Sequence, residues 1–262
     1  MTIPRIRGVG LLGLTALIAA LLISLTGAAR VAAQDATPSP EAVDMGVCTE
    51  ALGIGEAGDA CVNIIHASPD APAVDVFVDG ERALENLAFG KASGWVALPA
   101  GDHKVQVVPT GMMADAAVID AELTLEEDAA YEVAAVGLVA DITAVVNQVN
   151  LSELGDDEAR VRVVHASPDA PAVDIAVTGG DVLFAELAFP KASGTRTVPA
   201  GTYDLEVRVA GTTDVALPLP DVTLEPGTVY SIYAIGQVAD GSLTVLPIVS
   251  STTGAMMATP TA

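Results

Sequence analysis

The sequence is short of basic residues, aromatics and cysteine, and each shortage removes a class of function. Eleven Lys and Arg stand against 34 Asp and Glu in 262 residues, a formal net charge of −23. Such a chain repels phosphate backbones and anionic bilayer surfaces, which argues against nucleic acid and peripheral membranes as partners. Aromatic residues make up 3% of the chain. Two cysteines exclude both a disulfide-dense scaffold and a four-cysteine zinc site within one chain. No Gly-x-Ser-x-Gly elbow, compact Cys-x-x-Cys pair or calcium-loop spacing occurs. What is abundant is apolar: 51% of residues are hydrophobic, enough for one large domain or two small ones.

The amino terminus carries an address. Arg5 and Arg7 precede an apolar run from about Val9 to Leu25, and small residues follow up to Ala33. This is the layout of a secretory signal peptide over 1–33, with Val31 and Ala33 placed for cleavage before Gln34. An uncleaved anchor is the alternative, since the run lies at the short end of bilayer-spanning length. There is no twin-arginine pair and no cysteine to take a lipid at the cleavage site. Removing Arg5, Arg7 and Arg30 takes the basic count from 11 to 8 and the formal charge to −26. The expected location is secreted or cell envelope, with no membrane insertion after cleavage. In that oxidising compartment Cys48 and Cys61, within the segment 34–61, are expected to form a disulfide; a redox or metal-binding pair is the competing assignment.

Self-similarity is the strongest signal in the chain. His-Ala-Ser-Pro-Asp-Ala-Pro-Ala-Val-Asp at 66–75 returns unchanged at 165–174. Lys91-Ala92-Ser93-Gly94 returns as Lys191-Ala192-Ser193-Gly194, and Pro99-Ala100-Gly101 as Pro199-Ala200-Gly201. Tyr131, Gly137 and Val139-Ala140-Asp141 match Tyr230, Gly236 and Val238-Ala239-Asp240. Two homologous domains follow, 62–150 and 161–249, with a linker at 151–160 and a disordered tail at 250–262. Within each, apolar and polar residues alternate with a period of two, as in Val74, Val76 and Val78 against Asp75, Phe77 and Asp79. About seven short strands per copy predict an all-β chain of two tandem antiparallel β-sandwiches, immunoglobulin-like or transthyretin-like. Ala114–Ala121 is compatible with a turn of helix, but Pro218 and Pro220 in the matching stretch favour strand or loop.

The duplicated signature, followed by Leu-Ala-Phe, a Ser-Gly pair and Leu/Val-Pro-Ala-Gly, resembles the bacterial domain of unknown function numbered 4397. The resemblance implies an exported or envelope-associated β-sandwich, often in tandem, with no established reaction and no catalytic residues to carry over. Copy one departs from copy two at Trp95 against Thr195 and at His103 against Tyr203.

Chemical potential is concentrated in the signature. His66, Asp70 and Asp75, with His165, Asp169 and Asp174 in the second copy, are the candidate ligands for Ca²⁺ or Zn²⁺, with Asp79 or Asp141 to complete a site. Ser68 or Ser167 beside the same His would be the nucleophile of a hydrolase, although a triad needs groups converging from separate segments. The third assignment is structural: Pro69 and Pro72 set the backbone, Asp70 and Ser68 accept nearby N–H groups, and His66 holds the turn. Lys91 and Lys191 could grip an anion or merely offset the acidic field, and Trp95 is expected in packing rather than under a sugar ring. The expected function is a non-catalytic envelope or extracellular module with a binding or structural role, its ligand unidentified and no cofactor called for; a metal-dependent or hydrolytic site at the His-to-Asp loops is the alternative.

Overall fold

The computed structural model describes residues 46–252. The signal-peptide assignment at 1–33, the first part of the segment 34–61 (residues 34–45) and most of the tail lie outside them. After a short helix α1 (Gly46–Ala51), the first copy contributes β1 (Ala60–His66), β2 (Val74–Val78), β3 (Glu81–Leu87), β4 (Lys91–Leu98), β5 (Gly101–Pro109), β6 (Ile119–Leu125), β7 (Ala130–Val136) and β8 (Thr143–Val149). The second contributes β9 (Glu158–His165), β10 (Val173–Val177), β11 (Val182–Leu187), β12 (Arg196–Pro199), β13 (Gly201–Val209), β14 (Val215–Leu224), β15 (Thr228–Ile235) and β16 (Thr244–Ser251). The chain is all-β, two sandwiches of two four-stranded sheets each: β4-β1-β7-β8 on β3-β2-β5-β6, and β12-β9-β15-β16 on β11-β10-β13-β14.

Two details depart from the sequence-based expectation. Each copy has eight strands rather than about seven, and the sheets are not wholly antiparallel, since β7 runs parallel to β1 and β15 parallel to β9. The cause is a crossover: β6 belongs to one sheet and β7 to the other, so the chain changes layer and inserts β7 beside β1. The short 3-10 turn at Ala114–Ala116 precedes β6, while Pro218 and Pro220 sit in β14, an edge strand where a missing N–H is tolerated.

The alternating pattern does not leave the polar face of β1 in water. One face closes its own sandwich through Val62, Val133 and Leu125. The other meets the second copy. Ile65, Ala67, Ala134 and Val136 pack with Val164, Ala166, Tyr233, Ile235 and Ile248 in one core. A second cluster joins Cys48, Cys61, Ala130, Val149 and Leu151 to Val229. Strand β7 is therefore buried at every position. Leu151, at the start of the expected linker, is core, and β9 already begins at Glu158.

Polar residues inside this inter-repeat core are paired. Arg162 Nη2 donates to Glu132 Oε2 at 2.6 Å, Nη1 to the Gln148 carbonyl at 2.8 Å and Nε to Ser231 Oγ at 3.2 Å. Tyr233 Oη donates to the same Glu132 oxygen at 2.8 Å, and burial, reinforced by that carboxylate, pushes its hydroxyl above the ordinary tyrosine range. The duplicate positions are neutral: Asn63 matches Arg162 and Ser231 matches Glu132. Trp95 Nε1 donates to Ser250 Oγ across the same interface at 2.9 Å, so the tryptophan packs, as expected. The disulfide joins Cys48 to Cys61, with Cα atoms 5.6 Å apart, and ties α1 to β1.

Candidate functional site

The signature begins where β1 and β9 end. His66 is fully buried; Nε2 donates to the Pro72 carbonyl at 2.9 Å, and Nδ1 lies 3.4 Å from the Ser68 amide that donates to it. This assignment of the proton to Nε2 follows from the partners. His165 repeats the bond to Pro171 at 3.0 Å, and each ring meets the edge or face of a Phe, Phe89 or Phe189, from the Leu-Ala-Phe run. Burial, opposed by the carbonyl bond, lowers the pKa of both imidazoles and favours the neutral ring.

The aspartates each close a different loop. Asp70 Oδ1 accepts the Val139 amide at 2.8 Å, and Asp169 accepts those of Val238 and Ala239 at 2.9 Å. The two repeated motifs, separated by about 70 residues, therefore meet: the signature carboxylate caps the Val-Ala-Asp turn after Gly137 or Gly236. Both glycines have positive φ, 93° and 88°, and a Cβ on Gly236 would come within 2.3 Å of the Ser242 carbonyl. Asp75 accepts the amides of Asn86 at 2.9 Å and Gly111 at 3.1 Å; Asp174 does the same with Glu186 at 2.7 Å and Gly211 at 2.9 Å. The Asn86 amide, against burial and with help from Gly111, holds the Asp75 carboxyl below the usual range.

The six candidate ligands are thus not gathered around one point. Among the described residues no group of three or more His, Cys, Asp and Glu is placed to hold a metal ion. Asp79, offered to complete such a site, instead accepts from His103 Nδ1 at 2.7 Å and from the Lys104 amide at 2.9 Å. As for a nucleophile, His66 meets the Ser68 amide, while the Ser68 hydroxyl is buried with no hydrogen-bond partner among the described residues.

Other repeated residues also bond to backbone. Ser93 Oγ, at the register shift between β4 and β1, and Ser193 Oγ, just before β12, accept the amides of Ile64 and Val163 at 2.9 and 3.0 Å. The hydroxyls of Tyr131 and Tyr230 accept the amides of Glu126 and Glu225, a corner of the kind that locks sandwich connections. Even a departure between copies preserves its bond: His103 Nε2 donates to the Pro99 carbonyl at 2.8 Å and Tyr203 Oη to Pro199 at 2.7 Å.

A feature that motif reasoning missed lies between the sheets of the second copy. There an apolar cavity of ≈ 440 Å³ is lined by Val163, Ile175, Phe184, Leu205, Val207 and Leu219 among others, where the first sandwich keeps ≈ 90 Å³. Strand β4 pairs with β1 from Leu98 to Lys91, whereas the second copy's edge is interrupted: β12 pairs with β9 over Arg196–Pro199, Lys191, Ala192 and Ser193 rejoin β9, and 194–195 between them are unpaired. A polar vestibule of ≈ 550 Å³, bordered by Lys191, Ser193, Thr195 and Glu186, adjoins the cavity, sharing Leu183, Phe184 and Arg196 with it. The sequence signals were Thr195 for Trp95 and Arg196 for Val96.

Fold and signature together define a duplicated β-sandwich protein. The chain belongs to the family described as domain of unknown function (DUF4397), which it matches twice, over residues 60–176 and 163–258. No curated protein matches the chain. Among solved structures it is similar to the family CBM26 module CBMbc of Eubacterium rectale Amy13K, solved with maltoheptaose, at 12% identity and TM-score 0.24, covering 71% of this chain and 95% of that one. The Bacillus anthracis TIE protein gives 10% identity and TM-score 0.20, covering 69% of this chain and 34% of that one. Likenesses at this level say nothing of a shared ligand.

Proposed function

We propose that this protein is an exported, non-catalytic module of the cell envelope or extracellular space that binds a small ligand in its second sandwich. The observation that carries the proposal is the contrast between duplicates: the same fold and signature enclose ≈ 90 Å³ in one copy and ≈ 440 Å³ in the other. A volume of several hundred Å³ is the scale of small-molecule sites, and protein interiors do not otherwise keep voids of that size. The signature loops supply rigidity, since their imidazoles and carboxylates bond to backbone groups of neighbouring turns. Export is supported by the disulfide, which persists in oxidising compartments.

The test has two arms. Amino-terminal sequencing of protein recovered from the envelope or medium should begin near Gln34; an intact Met1 on exported protein overturns the cleavage. Mature protein should take up the neutral fluorophore N-phenyl-1-naphthylamine, and Val222→Phe, which fills the cavity, should abolish uptake while the melting temperature holds or rises. No uptake by the parent protein refutes the binding role. A chelator should leave the melting temperature unchanged, because the signature carboxylates accept backbone amides of neighbouring loops.

A further inference from the structure

We propose that the second sandwich takes a single-chain anionic amphiphile, its tail in the apolar cavity and its carboxylate or phosphate head at the mouth on Lys191 and Arg196. This deepens the binding role above and rests on it. The tail is argued from the lining, which is aliphatic and aromatic except at the rim: Arg196 at the shared border and Tyr203, whose hydroxyl is spent on the Pro199 carbonyl. The head is argued from the charges. The described chain holds eight cations in a strongly acidic protein, and most are engaged. Arg82, Lys104, Arg162 and Arg208 pair with carboxylates, and Arg160 bonds the carbonyls of Asn150 and Ser152. Among the described residues, Lys91, Lys191 and Arg196 form no ion pair, and two of those three border this one mouth.

Arg196 does more than line the opening. Its guanidinium lies over the Phe184 ring, 5.5 Å from the centroid, where vestibule and cavity meet. The stem is thus held by a cation–π contact while the donors of the fork stay open to an anion. In the first copy Val96 takes this position and the interior is nearly filled, so opening and cation occur together in the same copy. Glu186 is the one carboxylate on the vestibule wall, and the net negative charge of the whole protein opposes the approach of an anion. At physiological salt that long-range repulsion is screened beyond ~8 Å, which leaves local donors to decide occupancy. A free amphiphile meets them; a charged bilayer, too large to enter the mouth, does not.

Dodecanoate, dodecyl phosphate, dodecanol and dodecyltrimethylammonium, titrated against bound N-phenyl-1-naphthylamine on the mature protein, provide the test. At least one of the two anions should displace the fluorophore at lower concentration than dodecanol, and the tighter anion identifies a carboxylate or a phosphate head. Arg196→Gln and Lys191→Gln, both at exposed positions that leave folding intact, should each weaken that anion about fivefold and leave dodecanol unchanged. Dodecanol binding as tightly as both anions, or unchanged anion affinity in both variants, overturns the anionic head while leaving the binding role standing. Failure of the fluorophore and of all four amphiphiles to bind overturns both.

Discussion

Removing Glu132 should uncouple the two sandwiches. Its side chain is 1% exposed and accepts from Arg162 at 2.6 Å and Tyr233 at 2.8 Å, both contributed by the other copy. In Glu132→Leu the Arg162 guanidinium keeps only the Gln148 carbonyl and Ser231 hydroxyl, and the Tyr233 hydroxyl loses its acceptor. Breaking a buried ion pair from one side costs about 3–5 kcal/mol, because the remaining charge stays desolvated and unpaired. Against a typical total of about 5–15 kcal/mol that is a large share of the stability. Glu132→Leu combined with Arg162→Met removes both charges, and it should recover most of the loss, giving a coupling energy of about 3 kcal/mol. Urea titration followed by far-ultraviolet circular dichroism and by fluorescence is the assay. The single Trp95, bonded to Ser250 across the interface, reports docking. In the parent the two signals should change together. A loss below about 1 kcal/mol in Glu132→Leu, or a Trp95 transition that precedes the dichroism transition in the parent, refutes the coupled core.

Three further outcomes follow from the same bonds. Asp174→Ala, which removes a buried carboxylate and leaves the amides of Glu186 and Gly211 without their acceptor, should cost about 1–3 kcal/mol by thermal or urea unfolding. Reducing Cys48–Cys61, or replacing both by Ser, should cost up to about 3 kcal/mol, the chain-entropy value for a loop of this length, and should fray α1 in hydrogen exchange. The histidines should give opposite pH dependences. His66 and His165 have lowered pKa values, so the unfolded state binds more protons below about 6.5 and stability falls as acid is added, with a slope limited to about 2.7 kcal/mol per pH unit for two groups. His103 is raised, chiefly by Asp79 and then by Pro99, so its contribution is complete below the unfolded pKa and is lost as pH rises through the folded one. Asp79, lowered chiefly by His103, contributes above its unfolded pKa and is lost as pH falls through the folded value. Histidine proton resonances followed through the titration separate the groups; a His66 that titrates above the ordinary value refutes the buried neutral ring.

Much of this was legible from residue order alone. The duplication, the all-β class and the disulfide partners follow from local spacing: a ten-residue repeat, a period of two, and two cysteines in one segment. The signature aspartates could be recognised as turn residues, yet not which turns they close, because Asp70 and Val139 are far apart in the chain and meet only when β1 and β7 lie side by side. The same insertion of β7 made a parallel pair that no alternation pattern announces.

Sequence by itself determined the elements and their duplication, because strand period, turn residues and exact repetition are local properties of the chain. Tertiary structure alone decided what each face meets. Asn63, Glu132 and Arg162 occupy positions that read as solvent-facing, and they are buried because the two copies dock sheet to sheet. The cavity is likewise invisible in composition: both copies bring similar numbers of Val, Ile and Leu, yet the interior of the first sandwich is nearly filled and that of the second is open. Packing depends on distances between strands remote in sequence, and it set one sandwich closed and the other open.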